Sequence, residues 1–156
     1  MHIKTPYFPI EIEWLLLIVL ILAIFCSPLQ KIMGDFFICY LFIVFHECGH
    51  MFVASFFSRQ VELFKVSLAG VSIVFEEPKY VTEKKKIKLK TKYVQNICVF
   101  LAGPLSNVFL AIIFHGNNTI FEINLFLCML NLIPIFPLDG YNILKYLFLL
   151  IRLKRR

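Results

Sequence analysis

Long apolar runs separated by short polar breaks divide this chain into four stretches. The first covers residues 12–33, with an unbroken apolar core at 14–26, and the second covers 36–57. The third covers 93–114, and the fourth covers 119–151, interrupted by Pro134, Pro137 and Gly140. Each is long enough to be set against the ~20 apolar residues that a bilayer crossing demands. Between the second and third runs the period changes. Residues 61–68 alternate in part, Ala69-Gly70 can turn, and the run from Val71 to Phe75 resumes, which predicts a short β-hairpin. The expected fold is therefore an all-α polytopic membrane protein with about four transmembrane helices. A small hairpin follows the second helix, and the last helix is broken.

Composition strengthens the membrane reading. Of 156 residues, 60% are hydrophobic and 17% charged, against a soluble norm of roughly 45–50% and 25%. The mean hydropathy is +0.81. Glu11 and Glu13 stand where a secretory signal wants positive charge, so the first run reads as an uncleaved helix. The net charge of +6 is uneven: nine of sixteen basic residues fall in 59–92 and five in 145–156. The positive-inside rule then places that loop and both termini in the cytoplasm of a multi-pass protein. The lysines of 84–92 read as a topology signal or a contact with anionic lipid rather than as a nucleic-acid site. The five cysteines (26, 39, 48, 98 and 128) form no C-x-x-C pair and read as small packing residues.

The second run carries groups that do not suit lipid. His46, Glu47 and His50 lie near its middle, where ionisable side chains are costly unless something compensates them. Four residues apart, His46 and His50 share one helical face. Two imidazoles so placed can bind one zinc ion, and Glu47 can reach the water beside it, the H-E-x-x-H arrangement of zinc proteases. Gly49 keeps the helix slim for a close neighbour. A catalytic zinc site usually takes three protein ligands. His2 at the terminus and His115 in a turn are poor candidates. Asp139, the single acid in 123–151, is a better one, because it follows the breaks at Pro134 and Pro137. Irregular backbone at membrane depth is tolerated where protein or a wet cavity satisfies it.

Together these motifs resemble the site-2 protease family of intramembrane metalloproteases. They are His46-Glu47-Cys48-Gly49-His50, then Ala102-Gly103-Pro104-Leu105-Ser106-Asn107, then Asn131 through Pro134 and Pro137 to Leu138-Asp139-Gly140. Within the family the chain is most similar to the stage IV sporulation protein FB branch, which processes a membrane-associated sigma-factor precursor in spore-forming bacteria. The resemblance implies that His46, His50 and Asp139 ligate Zn2+ and that Glu47 is the general base. It also implies that Asn107 and Asn131 hold substrate or stabilise the oxyanion; helix-to-helix hydrogen bonding is the other reading of both. The hairpin at 61–75 could pair with an extended substrate or be a plain surface element. Residues 1–156 are expected to form a single membrane-embedded protease domain with no CBS or PDZ unit.

The expected function is regulated proteolysis of a membrane-associated protein in a bacterial cell membrane, with the bilayer as surroundings and no nucleic-acid partner. Regulatory membrane proteins and a homo-oligomer are compatible with the sequence, which names neither. An inactive metal-binding membrane scaffold or chaperone and a zinc transporter stand as alternatives.

Overall fold

The computed structural model describes residues 2–4, 9–15, 18, 21, 27–57, 61–67, 70–75 and 85–154. Much of the first apolar run, including 22–26, lies outside these residues, as do the hairpin turn at 68–69 and Lys84. Four helices dominate: α1 (Ser27–Phe56), α2 (Lys85–Ile113), α3 (Asn118–Leu132) and α4 (Asp139–Lys154). Four short strands accompany them: β1 (His2–Lys4), β2 (Pro9–Ile12), β3 (Val61–Ser67) and β4 (Gly70–Phe75).

Among the described residues, two helical segments are long and apolar enough to cross a membrane: Phe36–Phe56 in α1 and Leu89–Ile113 in α2. The expected four transmembrane helices are not confirmed by these residues, and much of the first run lies outside them. The fourth run is broken as expected: Pro137 and its neighbours part it into α3, of 15 residues, and α4, of 16. Each half rises only about 22–24 Å at 1.5 Å per residue. The break expected between the first and second runs differs. Residues 27–33 join the second run in one 30-residue helix that passes through Gly34.

The hairpin is present, and it belongs to a larger sheet. β3 and β4 pair antiparallel with Val66 opposite Val71 and Leu63 opposite Val74. β2 adds to β3 in parallel, Ile10 opposite Phe64 and Ile12 opposite Val66, and β1 pairs antiparallel with β2. The order β1-β2-β3-β4 leaves β4 at an edge. The all-α expectation therefore needs a four-stranded sheet added to it.

The shielded interior mixes polar with apolar groups, and most large apolar side chains lie outside it. The shielded positions include small or slim residues such as Ala54, Ala102 and Ala111, beside His46, His50, Asn96, Asn107, Asn124 and Asp139. Large apolar side chains, among them Phe52, Phe109, Phe126, Met129, Phe136 and Phe148, point outward. That inversion suits a lipid surround, in which small residues let helices approach and polar groups turn inward. Asn117 caps α3 by accepting from the Ile120 amide at 3.2 Å, so the turn at 114–117 is built as a helix start.

Candidate metal centre

The site forms where α1, α2 and the start of α4 meet. One turn of α1 stacks the His46 and His50 rings with centroids 4.8 Å apart and planes at 85°. α2 can lie against that turn because both helices are slim there. A Cβ on Gly49 would meet the Ala102 carbonyl oxygen at 2.8 Å, and one on Gly103 would meet His46 Nε2 at 2.5 Å. Pro104 further loosens α2, since it has no amide to give the Phe100 carbonyl.

Asp139 arrives from the far end of the chain through the broken segment. The Leu138 amide donates to Ile135 O at 2.9 Å, and the Ile135 amide donates to Ile133 O at 2.8 Å. Gly140 makes the reversal possible: a Cβ there would overlap the Leu132 carbonyl and sit 2.6 Å from Ile133 O. Asp139 occupies the first turn of α4, where the helix dipole favours an anion.

Three atoms with electron pairs converge as a result. His46 Nε2 lies 2.9 Å from Asp139 Oδ2, His50 Nε2 lies 3.1 Å from the same oxygen, and the two Nε2 atoms are 3.1 Å apart. All three residues are buried. Such a triangle is repulsive unless a proton or a cation sits among the lone pairs. Donors held ~2.0–2.1 Å from one tetrahedral zinc stand roughly 3.3 Å from each other, only a few tenths of an ångström wider than this triangle. Nitrogen and carboxylate donors of this kind suit zinc, so the residues fit the ion.

The outer atoms of both rings are also engaged. His50 Nδ1 donates to Val99 O at 2.7 Å, which leaves Nε2 as the free nitrogen pointing at the triangle. The Asn107 amide lies 3.1 Å from His46 Nδ1. Such partners fix ring orientation in metal sites. Glu47 also brings a carboxylate near both imidazoles, with donor atoms of His46, Glu47 and His50 all within 4.8 Å. Asp139 is the nearer acid to both Nε2 atoms, which leaves Glu47 available for protons.

A cavity of about 360 Å³ opens beside the triangle. His46, Glu47, Asn107, Asn131 and Asp139 line it, together with Ser67 and Val71 from the hairpin. Tyr40 ties the hairpin to α1 by donating to Ser67 O at 3.1 Å. Five of the six site residues named from the sequence thus line one cavity, and the sixth, His50, sits behind His46 with its Nε2 3.1 Å from Asp139 Oδ2. Asn131 spends one N–H on Leu127 O of its own helix, at 3.0 Å. His115 donates to Ile112 O in the exposed turn, away from the triangle. Sequence reasoning missed the Val99 carbonyl and Asn124, which is wholly buried. Asn124 had a signal, since it lies two helical turns before Asn131 in an otherwise apolar run.

No family model matches the chain. It is 30% identical over 123 residues to stage IV sporulation protein FB of Bacillus subtilis (strain 168). That match takes in 71% of this chain and 39% of the relative, so the chain spans about two-fifths of that relative's length. Its fold is that of the site-2 protease from Methanocaldococcus jannaschii, with a TM-score of 0.64 and 22% identity over 95% of this chain and 71% of that one.

Proposed function

Because the chain resembles the site-2 proteases in fold and stage IV sporulation protein FB in sequence, we propose that it is an intramembrane zinc metalloprotease. The observation that carries this reading is the convergence of the buried His46, His50 and Asp139 side chains, beside a cavity that Glu47 also lines. His46, His50 and Asp139 hold the metal. Zinc bound there supplies a water made acidic near neutral pH and polarises a carbonyl.

The chain's own residues supply the rest. Glu47 takes a proton from the attacking water and passes it to the leaving amine, a general acid–base role that its place in the cavity allows. Asn131, with one N–H uncommitted to its own helix, offers a donor for charge developing on the scissile carbonyl oxygen. Asn107 lines the cavity too, but its amide is turned to His46, which favours a ligand-orienting role over an oxyanion role.

A substrate helix hides its carbonyls in its own hydrogen bonds, so the cleaved segment has to be extended. Among the described residues β4 has no strand beyond it, its Val71 lines the cavity wall, and an extended segment adding there would lie near the metal residues. The substrate class is a membrane-associated protein, and a sigma-factor precursor is the candidate that the sequence resemblance brings with it. A zinc transporter would need donors strung along a path; among the described residues the donors meet at one point.

Metal removal tests the reading. With the chain and a tagged substrate in proteoliposomes, a zinc chelator abolishes the shorter product and added zinc restores it. Cleavage that survives removal of all bound metal would contradict the proposal.

A further inference from the structure

Asn107 and Asn124 are both wholly shielded, and the Oδ1 atom of each has no hydrogen-bond partner. A buried acceptor left unmet is destabilising, because it gives up its bond to water and gains none in return, so two of them require an explanation. Their placement supplies one. α2 and α3 run antiparallel around the turn at 114–117, with Asn107 seven residues before that turn and Asn124 seven residues after it. The two therefore stand at the same level, roughly 10 Å from the turn at 1.5 Å per residue. Leu127 and Asn131, further along the buried side of α3, line the cavity with Asn107.

A histidine that gives its Nε2 lone pair to a metal keeps its proton on Nδ1 and needs an acceptor there. Asn107 stands at that position, 3.1 Å from His46 Nδ1, with its nitrogen foremost. A half-turn of this amide exchanges its two ends, which differ little in shape. It would bring Oδ1 to the His46 N–H and turn the NH2 group away from it, and Asn124 Oδ1, at the same level on α3, lacks a donor.

We propose that Asn124 is a positioning residue of the metal centre: its Oδ1 accepts from Asn107 Nδ2 and so holds Asn107 with its oxygen toward His46. One rotation satisfies both unmet oxygens. The chain then runs from His46 through Asn107 to Asn124, whose own Nδ2 already donates to Ile120 O at 2.9 Å. The inference rests on the metal reading above.

Zinc affinity in detergent, measured by competition with a chromophoric chelator, tests it without a substrate. Asn107→Leu and Asn124→Leu are each expected to weaken binding about 10–100-fold, the usual cost of losing an outer partner. The double variant should be no weaker than Asn107→Leu alone, because Asn124 acts through Asn107. Asn107→Asp presents oxygen to His46 whichever way it turns, so adding it to Asn124→Leu should raise the affinity again. An Asn124→Leu chain with natural affinity overturns the inference. So does a double variant whose loss is the product of the two single losses, or a loss that Asn107→Asp fails to reverse. A natural chain that binds no zinc overturns the metal reading itself, and this inference with it.

Discussion

Replacing Gly103 by alanine adds one methyl group where two imidazole rings already are. The new Cβ would lie 2.5 Å from both His46 Nε2 and His50 Cε1, and closer still to His50 Nε2. Carbon and nitrogen rest roughly 3.5 Å apart, so about 1 Å of relief must be found. The rings cannot supply it cheaply. His50 is held by Val99 O at 2.7 Å, and His46 lies between Asn107 at 3.1 Å and Asp139 at 2.9 Å. Either α2 backs away from α1 or the imidazoles rotate out of register. Overpacking of this kind costs about 1–3 kcal/mol in stability, and a 1 Å misplacement of reacting groups costs on the order of 100-fold in rate. Gly103→Ala is therefore expected to melt lower in detergent, bind zinc more weakly and cleave at roughly 1% of the natural rate. Gly34→Ala is the control, since a Cβ there meets nothing within 4 Å. A Gly103→Ala chain that cleaves and binds zinc as the natural one does would refute the close approach of α2 to the rings.

Two further outcomes follow from the same geometry. Gly140→Ala presses a methyl group on the Leu132 and Ile133 carbonyls and should displace Asp139, lowering zinc affinity and cleavage together. Equal activity in a quantitative product assay would show that the turn tolerates a side chain. Tyr40→Phe removes the bond to Ser67 O, worth about 0.5–1.5 kcal/mol. It should raise KM by up to about tenfold while kcat holds, if the hairpin guides substrate; a fall in kcat alone would argue against that role.

Much of this arrangement is legible in the sequence because it depends on local spacing. The i, i+4 histidines of α1 share a face by helical periodicity alone. Pro134, Pro137 and Gly140 announce a break before Asp139, and the structure places that residue against both imidazoles. The hairpin of β3 and β4 shows in its partial alternation. What stays hidden depends on partners far along the chain. β1 and β2 are three and four residues long, and β2 pairs in parallel with a strand some fifty residues away, so no turn advertises it. The run through Gly34 and Asp35 reads as a boundary because polar residues interrupt the apolar pattern, yet helical hydrogen bonds continue across it. The importance of Gly103 is likewise a matter of what stands opposite it, which no local pattern records.

In the proposed hydrolysis Glu47 moves the proton beside His46, His50 and Asp139. The most direct test is cleavage of a tagged membrane-associated candidate substrate by the natural chain and by Glu47→Gln, with zinc content measured on both. Bound zinc is expected in both, with a shorter product from the natural chain and none from Glu47→Gln. Equal cleavage by the two chains would contradict it.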